Sequence, residues 1–292
     1  MLSRVGIVAK RGLTAAVPHL NAAIEWLHQH AVSVALDGDT AEIVTTASPY
    51  AVTTRDAIAG EVELVLVLGG DGTLLGVADR LGDAAVDIPI LGVNFGRLGF
   101  LTEIQLPDLM ATLELALHGR APIYERVMLR ARATRGGAPH AEHIVLNDVV
   151  VTKGAISRLI YLSVYVDGAF VSDVKADGLI LGSPTGSTAY NLAAGGPIVH
   201  PNVDALLLTP IAPHSLGNRP IVLPGRSLIS VRPAAESSPD EMFVTFDGQR
   251  GFAFTHGDEV IVTRAERTLR LVGAPGRSYY DTLRQKLHWG ER

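Results

Sequence analysis

The chain has 292 residues, of which 47% are hydrophobic and 19% charged, with a formal net charge of −5. This composition indicates a globular protein of one large or two ordinary domains, excludes global disorder and argues against nonspecific nucleic-acid binding. The absence of cysteine excludes disulfides, cysteine–zinc sites and thiol catalysis. No apolar run approaches the roughly 20 residues of a membrane helix, so we expect a cytoplasmic protein with no membrane partner.

The first 110 or so residues alternate between strand and helix patterns. The segments "VGIVAK", "VSVALD", "VELVLVLGG" and "IPILGVN" are short and apolar, as parallel strands covered on both faces are. Residues 14–30 and 107–118 carry apolar side chains at helical spacing, and residues 73–81 look helical. The alternation predicts an α/β domain with an open parallel sheet.

Beyond about residue 122, many short β-rich segments separated by Gly and Asp-Gly turns predict an antiparallel, sandwich-like domain. One helix is expected within it, at residues 187–194, and the closing "YYDTLRQKLHWG" is again helical. A lone terminal helix must bury its apolar face, so we expect it to return to the first domain. The predicted domains are residues 1–121 with 275–292, and residues 122–274.

A glycine-rich loop follows the third predicted strand. Gly69 and Gly70 end the strand and Thr73 opens a helix, an arrangement that suits phosphate oxygens, although no lysine follows as in a Walker loop. Asp71, in the middle of this loop, is a second anion. It could hold Mg²⁺ through water, accept a proton from an attacking hydroxyl, or bind a ribose. Taken alone, the motif is equally explained by an Asp-Gly turn.

Two further stretches carry polar groups. The segment "DGLILGSPTGSTAYNLAAGGPI" starts at Asp177 and surrounds a helix start with small hydroxyl residues, which suits phosphate or ribose, while Tyr190 could stack on a base. Asn147 and Asp148 lie together in an apolar strand. Adjacent strand residues face opposite ways, so acting together requires a bulge or a strand end. The alternative is that one faces solvent while the other caps a turn.

With these stretches in view, nearly the whole chain resembles the ATP-dependent NAD kinase family. The resemblance rests on "GGDGT", "NFGRLGF", "ND", "SPTGSTAYNLAAGGP", "PHSLGNRP" and the closing "YYDTLRQKLHWG", which is most similar to enzymes of Gram-negative bacteria. It implies ATP-dependent phosphorylation of the 2′-hydroxyl on the adenosine ribose of NAD⁺, giving NADP⁺, with Mg²⁺ or another divalent cation. It also implies a homo-oligomer, commonly a tetramer.

The resemblance also implies roles for individual residues. Asp71 corresponds to the base that takes the hydroxyl proton. Asn147 and Asp148 match an Asn-Glu pair that holds ribose hydroxyls, here with a carboxylate one methylene shorter. Arg158 and Lys175 fall near the substrate and would offset phosphate charge. The remaining residues implied to bind NAD⁺ are Gly72, Asp177, Thr188, Ala189, Tyr190, Asn191 and Gln249.

Two other functions stay open at this level. A lipid or sugar kinase could share the glycine–aspartate loop, although it would leave "SPTGSTAY" unexplained. A non-catalytic nucleotide-binding protein would not need Asp71 together with the Asn147–Asp148 pair. The ten histidines form no H-x-x-x-H or H-E-x-x-H pattern, so the sequence assigns no metal ligands.

Overall fold

The structure is a computed structural model that describes residues 2–84, 86–96, 98–154, 159–215, 217–235 and 242–290. The chain divides into two compact units of similar size. Unit 1 comprises Met1–Glu125 and Leu269–Arg292, and unit 2 comprises Arg126–Thr268.

Unit 1 is an α/β domain. Its strands are β1 (Arg4–Ala9), β2 (Ser33–Asp37), β3 (Ala51–Thr53), β4 (Leu64–Gly69), β5 (Pro89–Asn94) and β6 (Ile104–Gln105). Its helices are α1 (Val17–Gln29), α2 (Gly38–Ala41), α3 (Ile58–Glu61), α4 (Asp71–Ala84) and α5 (Leu109–Leu117), with α7 (Tyr279–Leu287) near the end of the chain and short 3-10 turns at Thr14–Ala16 and Leu106–Asp108.

The strands of unit 1 form a parallel sheet in the order β3–β2–β1–β4–β5, which confirms the predicted α/β class. Every residue of β4 is buried, as expected for a strand covered on both faces. Helix α1 buries Leu20, Ile24 and Leu27 in the core of this unit. The carboxyl ends of β1, β4 and β5 therefore meet at one edge, where open α/β sheets bind ligands.

The terminal helix belongs to unit 1, as predicted. Ser278 and Asp281 form a capping box at its start, each side chain accepting a backbone amide hydrogen bond of the other residue. Thr282 and Leu283 are buried, while Arg284 is exposed. These contacts fix α7 against the α/β domain.

Unit 2 is a β-sandwich. Its strands are β7 (Ile123–Arg135, from Arg126 onward in this unit), β8 (Ala138–Val145), β9 (Asp148–Lys153), β10 (Ile160–Val166), β11 (Ala169–Ala176), β12 (Gly178–Gly182), β13 (Ala205–Ile211), β14 (Ile221–Pro224), β15 (Ile229–Pro233), β16 (Met242–Phe246), β17 (Arg250–Phe254) and β18 (Asp258–Val272). One sheet follows the order β14–β13–β12–β9–β16–β17, and the other follows β11–β10–β15–β18 and continues through β7 and β8. Apolar residues of both sheets share one core, so the predicted sandwich is confirmed.

Three local differences from the sequence predictions matter for the site. Helix α4 begins at Asp71 rather than at Thr73. The helix expected at 187–194 is a 3-10 turn at Thr185–Thr188 followed by the four-residue α6 (Tyr190–Ala193), because the backbone at Ala189 is not helical. The apolar stretch around "VLND" is not one strand, since β8 ends at Val145 and β9 begins at Asp148.

Candidate active site

The glycine–aspartate loop lies at the carboxyl end of β4. A Cβ atom on Gly69 would lie 2.6 Å from Thr73 Oγ1, so the packing of Thr73 requires glycine there. A Cβ on Gly70 or Gly72 would meet nothing within 4 Å. The structure itself therefore does not require glycine at these two positions, and the space beside them is open to a ligand.

Asp71 is held by four hydrogen bonds from one segment of chain. Its Oδ1 accepts from the Leu101 amide (3.1 Å), the Thr102 amide (3.0 Å) and the Thr102 hydroxyl (2.9 Å), while its Oδ2 accepts from the Phe100 amide at 2.8 Å. These bonds fix the plane of the carboxylate. Among the described residues, Oδ2 accepts only the Phe100 bond, so it keeps capacity for a further donor.

Gly99 makes this arrangement possible. A Cβ there would overlap both the Asp71 carboxylate and the Thr102 hydroxyl, so the segment can close over the carboxylate only with glycine at this position. The ring of Phe100, next in the chain, lies under the Lys286 ammonium of α7, at 5.4 Å from ring centroid to Nζ. The "NFGRLGF" motif thus connects Asp71 to the terminal helix.

In unit 2, Asn147 and Asp148 lie where β9 begins, which is the strand end that joint action requires. Asp247 organises this point. Its carboxylate accepts the amides of Leu146 (2.7 Å), Asn147 (2.7 Å) and Asp148 (3.0 Å), and its own amide donates to the Asp148 carbonyl at 3.0 Å.

The Asp148 side chain has an unusual electrostatic environment. Only 6% of the residue is exposed. Burial first, and then the nearby Asp247 carboxylate, raise the pKa of Asp148 to about 7. The Asp148 carboxyl therefore changes its protonation state near neutral pH.

The "SPTGST" segment packs directly on the Asn147 backbone. The Ser183 amide donates to the Asn147 carbonyl (2.8 Å), and the Ser183 hydroxyl donates to the Leu146 carbonyl at 2.5 Å. A Cβ on Gly186 would overlap the Asn147 carbonyl. The two polar stretches that the sequence singled out in unit 2 therefore form one cluster.

Residues 188–191 differ in how far their side chains are buried and hydrogen-bonded within the protein. Asn191 is fully buried, and its amide group donates to the carbonyls of Ser187 and Pro197 (both 3.0 Å) and accepts the Thr209 hydroxyl at 2.6 Å. Thr188 and Ala189 are partly exposed, and Tyr190 is 44% exposed. Tyr190 thus offers an open aromatic ring, whereas the Asn191 side chain is engaged within the protein.

The remaining predicted residues of unit 2 lie at varied positions. The Lys153 ammonium lies 2.7 Å from the Asp177 carboxylate, and both side chains are about one-third exposed. Lys175 is exposed with its ammonium 5.0 Å from the Tyr161 ring centroid, and Gln249 is exposed next to Asp247. Arg158 lies outside the described residues.

Sequence reasoning missed three contributors. Asp247 and Gly99 act through contacts distant in sequence, although Asp-Gly in "FDGQ" and the glycine of "LGF" are visible signals. Thr185, inside the highlighted motif, buries a hydroxyl that has no hydrogen-bond partner among the described residues. A buried hydroxyl of this kind is suited to a bound ligand.

The described part of the chain holds no group of three or more His, Asp or Glu side chains able to bind a metal ion. His214, the histidine of the "PHSLGNRP" motif, is exposed in its loop. Over the same residues, no helix is both long and apolar enough to cross a membrane.

Comparison with known proteins agrees with this architecture. Residues 5–121 match the model of the ATP-NAD kinase N-terminal domain, and residues 146–274 match that of the C-terminal domain. The NAD kinase of Geotalea daltonii is 48% identical over 269 residues, covering 92% of each chain. That of Syntrophotalea carbinolica is 43% identical over 291 residues, covering both chains completely.

Among solved structures, yeast NADH kinase in complex with NADH superposes with a TM-score of 0.91 at 27% identity, covering 100% of this chain and 89% of the yeast chain. Fold and relatives together define a phosphotransferase, a kinase. The chain belongs to the ATP-NAD kinase family, and its enzyme class is that of NAD kinase, EC 2.7.1.23.

Proposed function

We propose that the protein transfers the γ-phosphoryl group of ATP to the 2′-hydroxyl on the adenosine ribose of NAD⁺, giving NADP⁺ and ADP, with Asp71 as general base. The observation that carries the proposal is the fixed Asp71 carboxylate, held by four donors at a sheet edge beside two glycines with open space. Mere nucleotide binding does not need an oriented acceptor there.

The reaction uses these groups in a defined order. The ribose 2′-oxygen attacks the γ-phosphorus, and its proton passes to Asp71 Oδ2, which has room for a further donor. The bond between the γ-phosphorus and the β–γ bridging oxygen breaks, and its electron pair leaves with ADP. Because phosphoryl transfer is loose, positioning and charge stabilisation supply most of the catalysis.

The phosphates of ATP bind at the loop. The α4 helix begins at Asp71, so its first amides and the positive end of its dipole lie beside the open space at Gly70 and Gly72. Gly69 and Thr73 pack together and give this turn its shape. The loop therefore binds the phosphates of the donor, while Asp71 and Gly72 also meet the adenosine ribose of NAD⁺, and the rest of the dinucleotide is assigned to the cluster in unit 2.

The NAD⁺ site consists of the Asn147–Asp148 cluster and the segment that packs on it. Asp148, with a pKa near 7, can donate or accept a hydrogen bond to a ribose hydroxyl. Thr185 supplies a hydroxyl that has no hydrogen-bond partner within the described part of the chain, and Tyr190 supplies an aromatic face. Thr188, Ala189, Asp177, Lys175, Arg158 and Gln249 complete the proposed site. Asn191 holds its shape, because its side chain is engaged internally.

A divalent cation, Mg²⁺, is the proposed cofactor. No set of three metal-ligating side chains occurs among the described residues. This fits Mg²⁺, which usually binds through phosphate oxygens and water together with one or two carboxylates. Asp71 is the carboxylate proposed here. The cation would neutralise phosphate charge.

We also propose a cytoplasmic homo-oligomer, a tetramer. This proposal rests on the family resemblance, and light scattering coupled to size exclusion tests it.

The function is tested by incubating the purified protein with ATP, Mg²⁺ and NAD⁺ and coupling the product to an NADP-specific dehydrogenase. We expect ATP-dependent signal. Diacylglycerol and a sugar, offered in place of NAD⁺, are the control acceptors. Phosphorylation of either of these with none of NAD⁺ would overturn the proposal.

Asp148→Ala tests the dinucleotide site separately. We expect the KM for NAD⁺ to rise at least tenfold while that for ATP changes less than twofold. Equal changes in the two constants would contradict the assignment of Asp148 to the ribose.

A further inference from the structure

The glycine–aspartate loop contains no cationic side chain of its own for the charge of the donor phosphates. No lysine follows the glycines, unlike the Walker pattern. Lys175, one of the two cations that the family resemblance assigns to the substrate, belongs to unit 2 and lies over the Tyr161 ring. Unit 1 has cations of its own that could serve a triphosphate at this loop.

The distribution of lysine points to where that charge lies. Only four of the 25 Lys and Arg residues are lysines, namely Lys10, Lys153, Lys175 and Lys286. The general cationic surface is thus made of arginine. Lysine differs from arginine in carrying a compact ammonium with three donors on a flexible stem, which suits a phosphate as a point charge. Two of the four, Lys10 and Lys286, lie in unit 1.

Lys286 lies next to the segment that holds Asp71. Its ammonium is 5.4 Å from the centroid of the Phe100 ring, and the Phe100 amide is bonded to Asp71 Oδ2. The side chain is half-buried. No carboxylate of the described residues forms an ion pair with it, whereas Arg284 on the same helix is paired with Asp281. Lys286 is therefore a positioned cation whose charge the neighbouring described residues leave unneutralised.

Lys10 follows β1, on one side of β4, whereas the segment that contains Phe100 follows β5, on the other side of β4. Strand β1 pairs with β4 in parallel, and the amide of Lys10 donates to the Leu68 carbonyl at 2.8 Å. The Cβ of Lys10 is 3.3 Å from where a Cβ of Gly69 would be. The side chain is exposed and, within the described ranges, has no acidic partner, unlike the neighbouring Arg11, which lies 3.8 Å from Asp39.

We propose that Lys10 and Lys286 bind the phosphates of ATP from opposite sides of the glycine–aspartate loop. This inference rests on the proposed function and deepens it, because it assigns the donor's charge partners. ATP is favoured over the NAD⁺ diphosphate as the ligand, because the two lysines flank the loop whose open space is proposed to bind the phosphates of ATP. The two ammonium groups supply the charge that a Walker lysine would supply elsewhere.

The test uses Lys286→Met and Lys10→Met, which keep an unbranched apolar stem and remove the charge, and Lys286→Arg and Lys10→Arg, which keep the charge. Each methionine variant should raise the KM for ATP at least tenfold and leave the KM for NAD⁺ within twofold. The arginine variants should recover most of the loss. Calorimetric titration with inorganic tripolyphosphate should show the same weakening without turnover.

Arg284→Met is the matched control, because it removes a charge from the same helix that Asp281 already neutralises. It should leave both KM values unchanged. Unchanged tripolyphosphate and ATP binding in either lysine variant would overturn the proposal while leaving NAD kinase activity intact. A rise in the KM for NAD⁺ alone would assign the lysines to the dinucleotide instead and would equally overturn it. Absence of activity in the wild-type protein would instead defeat the proposed function.

Discussion

The two units organise their key carboxylates differently. In unit 1, Asp71 both anchors the backbone of residues 100–102 and presents the proposed catalytic oxygen. In unit 2 these tasks are divided, because Asp247 binds the amides of residues 146–148 and Asp148 carries the proposed ligand-binding carboxyl. Where one residue both anchors the backbone and reacts, a substitution affects stability and activity together. Where two residues divide these tasks, each effect can be changed separately. Mutations should therefore separate structure from activity in unit 2 better than in unit 1.

The largest effect is expected for Asp71→Asn. Removing the proton acceptor should lower kcat by about 10²- to 10⁴-fold. The amide nitrogen of asparagine cannot accept from the Phe100 amide, so thermal stability should fall as well. Steady-state kinetics and circular dichroism measure the two effects. A folded variant with a near-wild-type rate would remove Asp71 from the base role.

Next come two glycine substitutions, one in each unit. Gly99→Ala forces a methyl group onto the Asp71 carboxylate, and Gly186→Ala forces one onto the Asn147 carbonyl. We expect Gly99→Ala to lower kcat at least tenfold, and Gly186→Ala mainly to raise the KM for NAD⁺ by a similar factor. Gly60→Ala is the control, since a Cβ there meets nothing within 4 Å. The same kinetic signature for both variants would contradict the division between a proposed base in unit 1 and a proposed dinucleotide-binding cluster in unit 2.

Asp247→Ala should separate anchoring from chemistry in unit 2. Three amides lose their acceptor, and each buried unsatisfied group costs about 1–3 kcal/mol, so the free energy of unfolding should fall by at least about 2 kcal/mol. Urea denaturation measures it. Asp167→Ala is the matched control. Asp167 has a similar left-handed backbone (φ 52° against 49°) and precedes a glycine, but its carboxylate accepts only the Leu228 amide among the described residues. Equal losses in the two variants would show that Asp247 is no more than a turn residue.

The last expected effect is confined to a pH range and comes from Asp148. Its pKa rises from 3.8 to about 7 on folding, so between these values the folded state holds a proton that the unfolded state has lost. Stability from this group is therefore lost as the pH rises from about 4 to 7. The side chain in Asp148→Asn does not titrate, so this variant does not undergo the loss. Relative to wild type, its free energy of unfolding should be higher by roughly 1–4 kcal/mol between pH 4.5 and 8. Urea unfolding at several pH values checks this, and a pH-independent difference would contradict the buried-carboxyl account.

The local sequence pattern predicted helices and strands well where burial of the element's own apolar residues determines its type. The all-apolar β4 and the periodic α1 had the predicted type because burial alone determines it. The predicted helix at 187–194 was wrong in extent, because the backbone leaves the helical region at Ala189, while the Ser187 hydroxyl and the Asn191 side chain bond to Val199 and Thr209 further along the chain.

The motifs of the candidate site could be predicted from the sequence, but the residues that contact and position those motifs could not. Asp71, Asn147 and Asp148 stand out as polar residues at the ends of apolar runs. Asp247 contacts residues about 100 positions earlier in the chain, and no local pattern encodes such a contact. The contact of Lys286 with Phe100 likewise depends on how the terminal helix packs.

The scarcity of lysine also has a practical consequence. Reagents that acylate primary amines find only four side-chain targets in this chain, and each lies within or beside a group proposed to bind substrate. Coupling the enzyme to a resin through amines would therefore tether it by its own binding groups. Conversely, the fraction of each lysine that escapes labelling would serve as a footprint of nucleotide occupancy.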